Sequence, residues 1–144
     1  MLVFNGHTEY APLLAELHSR CFPTPWSKKE MSDLLHLPST IAWVTEESFL
    51  ICSHVLDEME ILAIGVLPEK RKLHLATQLM ENLIIYATKN NVHKIFLEVS
   101  VTNKPAQGLY AKFGFTKSGI RRAYYTTEAG TEDALCLVKK LSDG

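Results

Sequence analysis

An apolar strand, a long amphipathic helix and a second apolar strand follow one another through the middle of the chain, and this order constrains the fold more than any other feature. Residues 61–66 read as a strand and residues 95–101 as another. Between them Leu75, Leu79, Leu83 and Tyr86, with Met80, Ile84 and Ala87 beside them, draw one face of a helix ending near Asn90 and Asn91. A strand that rejoins its sheet through a helix lies parallel to the strand that left it. Upstream, residues 41–45, 49–55 and 61–66 are strands joined by the short links Glu46-Glu47-Ser48 and Asp57-Glu58, which makes them antiparallel. The sheet is therefore mixed.

The rest of the chain supplies its flanks. Thr8 can cap a first helix reaching about Cys21, with Leu13, Leu14 and Leu17 at core spacing and Pro12 in the opening turn. Ser27 and Glu30 form a capping box for a second helix, Trp26 and Met31 stand at hydrophobic-staple positions, and Pro38 closes it. Asn103 caps a shorter helix with Pro105 in its first turn and Ala106, Tyr110 and Phe113 on one face, until Gly114 breaks it. Residues 115–125 and 132–141 then pair antiparallel across a loop holding Gly130. The expectation is an α/β (α+β) protein with one domain spanning residues 1–144, since 144 residues build a single core and divide poorly into two.

Composition excludes several functions. The net charge of −1 leaves no basic footprint for a dedicated nucleic-acid binder, beyond the local runs Lys70-Arg71-Lys72 and Arg121-Arg122. No stretch reaches the roughly 20 apolar residues of a membrane helix, and the first residues lack a basic start or a long apolar run, so a cytoplasmic protein with no membrane partner is expected. Cys21, Cys52 and Cys136 are far apart with no Cys-x-x-Cys, which suits small buried hydrophobes in a reducing compartment. The histidines at 7, 18, 36, 54, 74 and 93 have no ligand spacing, so no metal is expected.

Two places carry chemistry. Glu98 interrupts Ile95, Phe96, Leu97 and Val99, and a carboxylate in a core strand is costly unless it is paired or working; Tyr110 follows on the next helix. The crossover segment runs from Ile64, Gly65 and Val66 through a basic loop, Arg71, Lys72, Leu73 and His74, into a helix start at Leu75, Ala76 and Thr77. Backbone N–H groups at a helix N-terminus, with the dipole behind them, suit a pyrophosphate.

This segment resembles the acetyl-CoA loop of the GNAT superfamily of N-acetyltransferases, whose pattern is Q/R-x-x-G-x-G/A. Arg71 fills the first position, Ala76 the last, and His74 stands where the first glycine would be. Glycine there lets the backbone approach the phosphates, so His74 either turns outward, donates to a phosphate, or spoils the site. Within the superfamily the likeness is to the RimI type, the bacterial ribosomal-protein-alanine N-acetyltransferases, and covers nearly the whole chain. The matching residues are 22–27, Leu56-Asp57-Glu58, the crossover loop, Leu97-Glu98-Val99, Asn103, Leu109-Tyr110, Gly114-Phe115, and Arg121-Arg122-Ala123-Tyr124-Tyr125 followed by Gly130, Glu132, Asp133 and Ala134. Ala123 and Thr126 depart from the Asn and Pro usual in that type.

The resemblance implies a GNAT fold, a central sheet of about six to seven strands flanked by about four helices, with a V-shaped splay between the strands ending near Val66 and Ser100. It implies acetyl-CoA as co-substrate, held by Ile64, Gly65, Val66, the loop residues 71–77 and Asn103, with the edges of the two parted strands admitting the pantetheine arm. It makes Glu98 the general base, Tyr110 the general acid, and Trp26, Tyr124 and Tyr125 the walls of the acceptor cleft, with the N-terminal peptide of a small-subunit ribosomal protein as partner. Chemistry agrees with such an acceptor. An α-amine with pKa near 8 is roughly a tenth deprotonated at neutral pH, whereas deprotonating a lysine costs about 3 kcal/mol more. A phenol of ordinary acidity holds its proton at pH 7 and can pass it to a thiolate. Two other readings keep the fold: an acetyltransferase for small amines or lysine, and a non-catalytic binding module whose loop is closed by His74.

Overall fold

The computed structural model describes residues 2–5, 8–23, 25–71, 74–127 and 130–141, with backbone alone at 2–5, 8, 123 and 125–127. Strand β1 (Leu2–Asn5) leads through a 3-10 turn, Thr8–Tyr10, into helices α1 (Ala11–Cys21) and α2 (Lys28–His36). Strands β2 (Thr40–Val44), β3 (Ser48–Val55) and β4 (Glu58–Val66) follow, then α3 (Leu75–Lys89), β5 (Lys94–Ser100), α4 (Lys104–Lys112), β6 (Thr116–Thr127) and β7 (Gly130–Lys140). The strands form one sheet of seven in the order β1-β2-β3-β4-β5-β7-β6. Only the β4–β5 pair is parallel, as the helical crossover requires.

At the start of the chain the structure adds one element that sequence reading did not assign and corrects one expectation. Residues 2–5 are a strand paired antiparallel with β2, and Thr8 opens a 3-10 turn rather than capping α1, whose N-cap is Tyr10. A four-residue edge strand shows too little alternation to be seen in sequence, and Pro12 at the head of α1 admits a helix start two or three residues either way. The other local signals hold. Ser27 Oγ accepts from the Glu30 N–H at 3.0 Å while Glu30 Oε1 accepts from the Ser27 N–H at 3.1 Å, a complete capping box. Asn103 Oδ1 accepts from the Ala106 N–H to cap α4, and Gly114 leaves that helix at φ 88°.

Side chains of β2, β3 and β4 alternate between the two faces of the sheet and split the core in two. Ile41, Trp43, Leu50, Cys52, Met59 and Ile61 face α3 and α4, where Leu79, Met80, Leu83 and Tyr110 meet them. Ala42, Val44, Phe49, Ile51 and Ala63 face α1 and α2, against Leu14, Leu17, Met31 and Leu35. Strands β2 and β3 are covered on both faces, which is why they read as nearly unbroken apolar runs. Along β5 the alternation is one-sided: Ile95, Leu97 and Val99 are buried, while Phe96, Glu98 and Ser100 are only half-buried on the other face.

The β3–β4 register slips by one residue between Ile51↔Ala63 and Cys52↔Ile61, which leaves Leu62 as the extra residue of a β-bulge. Pairing of β4 with β5 covers only Glu58↔Lys94, Met59↔Ile95 and Glu60↔Phe96, and stops just before that bulge. A bulge bends and over-twists its strand, and here it carries the rest of β4 away from β5. Beyond Phe96 the register partners of β5 are all on β7. The sheet is thus two pieces, β1–β4 and β5-β7-β6, hinged at Glu60 and Phe96 and open toward Val66 and Ser100, as the expected splay requires.

Two packing details carry measurable consequences. A Cβ on Gly65 would lie 2.7 Å from Phe49 Cε1 and 3.1 Å from Cys21 Cβ, so this β4 position needs glycine for space. Gly65→Ala should destabilise the protein by about 1–3 kcal/mol, and trimming the ring in a Gly65→Ala, Phe49→Leu double variant should return part of the loss; urea unfolding midpoints measure both. His18 is buried, stacked on Phe22 at 4.5 Å and Trp26 at 4.4 Å between ring centroids, and its Nδ1 accepts from the Trp26 N–H at 3.2 Å. Burial lowers its pKa from the ordinary 6.5, against a smaller opposing pull from Glu30. A group whose folded pKa is depressed stabilises fully above its unfolded pKa and loses that contribution as pH falls through the folded one. Unfolding midpoints should therefore decline from about pH 6.5 down to about pH 5, before carboxylates titrate, and the decline should be absent in His18→Gln.

Candidate active site

The opening between β4 and β5 joins the two faces of the sheet, and the residues singled out in sequence lie on both sides of it. Glu98 is on the half-buried face of β5, the face shared by Phe96 and Ser100. Tyr110 is on the other, 4% exposed in the core with Leu97, Val99 and Phe115, its ring centroid 5.8 Å from that of Phe115. Strand and helix thus hold the carboxyl and the phenol on opposite faces of β5. Their separation follows from the period of two along a strand, which sequence spacing alone did not resolve.

Glu98 is neither deeply buried nor unpartnered, which corrects the expectation of a carboxylate sunk in the core. Its side chain is 21% exposed, and Arg121 Nη1 donates to Oε1 at 3.1 Å and to Oε2 at 3.2 Å. The Arg121 guanidinium also lies over the Tyr124 ring, 4.3 Å from its centroid. The Tyr124 phenol lies within the influence of Glu98; its pKa is raised by burial first and then by the Glu98 charge. Glu60 completes the group. Its pKa is also raised, by burial first and then by Glu98, with Arg121 pulling the other way.

The local fold explains why these four side chains meet. Glu60 and Phe96 are the last register pair before the splay, so Glu60 and Glu98 share a face of the sheet across its hinge. Glu98 is opposite Cys136 of β7, and β7 pairs in turn with β6. The β6–β7 register slips once between Lys117 and Gly119 and again between Arg121 and Tyr125. Irregularities of this kind re-aim side chains; Tyr124 lies within the second, and Arg121, paired with Ala134, borders it. Sequence reasoning marked Tyr124 but missed Glu60 and the contact made by Arg121; the one available signal was a carboxylate at Glu60 between the apolar Met59 and Ile61.

The crossover loop is tied down on its near side. Arg71 Nε donates to the Val66 carbonyl at 3.1 Å, and its charge opposes the rise that burial gives the Cys21 thiol pKa at the end of α1. Lys70 Nζ lies 3.2 Å from Glu47, and Arg20 Nη2 donates to Glu69 at 2.7 Å. The basic run read as part of a pyrophosphate-binding loop is partly engaged in holding that loop itself; Lys72 and Leu73 lie outside the described residues.

His74 is the N-cap of α3 with φ 59° and ψ 24°, the left-handed conformation, exposed and making no side-chain cap. The chain thus reproduces with histidine the backbone that glycine would take most readily, and the imidazole is turned out rather than folded over the helix end. The first bond within α3 runs from the Gln78 N–H to the His74 carbonyl, so the N–H groups of Leu75, Ala76 and Thr77 precede the helix ladder. An uncapped helix start beside the open end of a split sheet suits a ligand with phosphates at one end and an amide arm at the other, and the residues present fit acetyl-CoA on those grounds.

The remaining predicted residues divide. Asn103 spends its side-chain oxygen on the α4 cap. Trp26 is half-buried and held by His18, as a core aromatic is. The backbone of Tyr125 pairs with Glu132, and its side chain lies outside the described residues. Glu132 Oε2 accepts from Ser100 Oγ and Thr102 Oγ1, and Gln107 Nε2 donates to the carbonyls of Ser100 and Val101, which fixes the end of β5 to α4. Of the cysteines, Cys52 is fully buried with its thiol pKa pushed strongly up by burial, which disqualifies it as a nucleophile.

Comparison with known proteins agrees with this architecture. Residues 11–115 match the acetyltransferase (GNAT) family. The chain is 32% identical over 135 residues to the ribosomal protein bS18-alanine N-acetyltransferase of Escherichia coli, covering 91% of each. It is 33% identical over 136 residues to the enzyme of the same name from Salmonella typhimurium, again covering 91% of each. The crystal structure of the Escherichia coli ribosomal-protein-S18-alanine N-acetyltransferase superposes with a TM-score of 0.87 at 29% identity, covering 98% of this chain and 94% of that one. Arabidopsis thaliana NAA60 in complex with acetyl-CoA shares the fold, with a TM-score of 0.84 at 17% identity over 97% of this chain and 98% of the other. The split sheet, the crossover loop and these likenesses together assign the chain to the GNAT family of acetyltransferases.

Proposed function

We propose that this protein transfers an acetyl group from acetyl-CoA to the α-amino group at the N-terminus of a ribosomal protein, an alanine of a small-subunit protein, in the cytoplasm. The observation that carries this reading is Glu98 beside the splay, with its carboxylate oriented by Arg121 and Tyr124. The relatives named for bS18-alanine acetylation span nearly the full length of the chain and supply the acceptor class.

Bound acetyl-CoA supplies an activated thioester. The edge of β4 past Glu60 orients its pantetheine amides as a further strand would, and the N–H groups of Leu75, Ala76 and Thr77 bind its phosphates. A main-chain N–H near Val66 is the donor to the thioester oxygen. Glu98 takes the proton of the attacking amine on a carboxylate oxygen, and Tyr110 gives its phenolic proton to the departing sulfur. Carboxyl and phenol act from the two faces of β5, so proton removal and proton delivery approach the gap from opposite sides. An α-amine suits this base better than lysine because so much less work is asked of it at neutral pH.

The reading is tested by offering acetyl-CoA with a peptide bearing a free N-terminal alanine, the same peptide with its amine blocked and an internal lysine, and a polyamine, and locating the acetyl group by mass spectrometry. Acetyl on the α-amine alone is expected; acetyl on lysine or polyamine would move the chain to the small-amine or lysine reading. In the same assay Glu98→Gln should lower turnover by about 100-fold with acetyl-CoA affinity kept, and Tyr110→Phe should do likewise. Full activity in either variant would strip that residue of its role.

His74→Gly separates a tolerated loop from a spoiled one. A left-handed backbone costs an L-residue about 1–2 kcal/mol, and the freedom glycine adds to the unfolded chain returns part of that, so the variant should gain up to about 1 kcal/mol in urea unfolding. Acetyl-CoA binding by calorimetry should change little. No binding to the natural protein and strong binding to the glycine variant would favour the non-catalytic module.

A further inference from the structure

Arg121 occupies the place that the acceptor amine must take. Its Nη1 sits 3.1 and 3.2 Å from the two oxygens of Glu98, nearly equidistant from them. A general base must come within about 2.6–3.2 Å of the nitrogen it deprotonates, so the amine and Nη1 compete for one position.

We propose that the Arg121 guanidinium is a built-in stand-in for the acceptor's ammonium group, and that the acceptor enters by cation exchange, displacing Arg121 from Glu98. The inference rests on the reading of Glu98 as the base. Four observations support it. The pair is lopsided: the Arg121 side chain is 58% exposed and that of Glu98 21%, so the guanidinium returns to water readily while the carboxylate stays behind. The guanidinium already lies against the Tyr124 ring, which gives it a second resting place once the carboxylate is taken. Arg121 is the last residue of β6 paired before its second register shift, opposite Ala134, so the ladder breaks immediately beyond it. Finally, Glu60 is close enough for its charge to be felt at Glu98 and Arg121, so two carboxylates face one guanidinium and the group remains anionic and attractive to a further cation.

Exchange has a functional logic. With no acceptor present Glu98 is neutralised and held in position, so its carboxylate is not left facing the thioester gap without a partner. When the peptide arrives as an ammonium, one cation replaces another and the local charge is conserved. The amine then loses its proton to Glu98 in place. Acceptors without a cationic amine, such as a peptide already acetylated, have nothing to exchange.

The test compares the natural protein with Arg121→Met and Arg121→Lys at saturating acetyl-CoA, varying a peptide with a free N-terminal alanine. Removing the competitor should lower the acceptor KM about two- to fivefold in Arg121→Met, the worth of a partly exposed ion pair, while Arg121→Lys keeps the natural KM. A KM unchanged or raised in Arg121→Met overturns the proposal. A second readout needs no turnover: guanidinium NMR signals of Arg121, restrained in the free protein, should be released by the free-amine peptide and left alone by its N-acetylated form. Restraint that persists while calorimetry shows the peptide bound overturns the proposal as well. Release of Arg121 without acetylation of any peptide would support exchange while removing the transferase reading, so the two ideas fail separately.

Discussion

The ladder of hydrogen bonds between β4 and β5 ends at Glu60 and Phe96, and most of what this protein is built to do depends on that early end. A continuous seven-stranded sheet would have no opening and would leave no strand edge in its middle for a ligand. Breaking a sheet internally exposes backbone donors and acceptors, which is costly unless something satisfies them. The bulge at Leu62 sets the break in one place and bends β4 away, while the antiparallel neighbours β3 and β7 hold each side of the opening rigid. The gap is a fixed feature supported from both flanks, the kind of preorganisation an acyl-transfer site needs.

Charge in the site is arranged around the same hinge. Four side chains from β4, β5 and β6 share two negative charges, one positive charge and a phenol, on the face of the sheet away from Tyr110. Such a group would be expensive in a dry core, yet it stands where the alternation of β5 leaves its outer face half-open. The partial exposure that keeps the cluster tolerable also leaves it open to solvent.

Much of the fold was legible in the chain because its signals are local. The capping box at Ser27 and Glu30, the Asn103 cap, the left-handed Gly114 and the apolar face of α3 each declare themselves within a few residues. The parallel pair followed from the crossover alone. What sequence could not show was geometry assembled from distant segments. Leu2–Asn5 is a strand only because β2 offers it an edge, and the bulge at Leu62 changes no residue type that would announce it. Glu98 was visible as a carboxylate out of place, but its partners lie 23 residues downstream at Arg121 and on a separate strand at Glu60. Only the sheet order brings them together.

The left-handed backbone at His74 reaches beyond this chain. A turn that asks for one unusual pair of dihedral angles selects for a shape, and glycine is merely the residue that adopts the shape at least cost. Any search that recognises such a turn by demanding glycine at that position would overlook chains like this one, in which a bulkier residue has accepted the strain and kept the path of the chain.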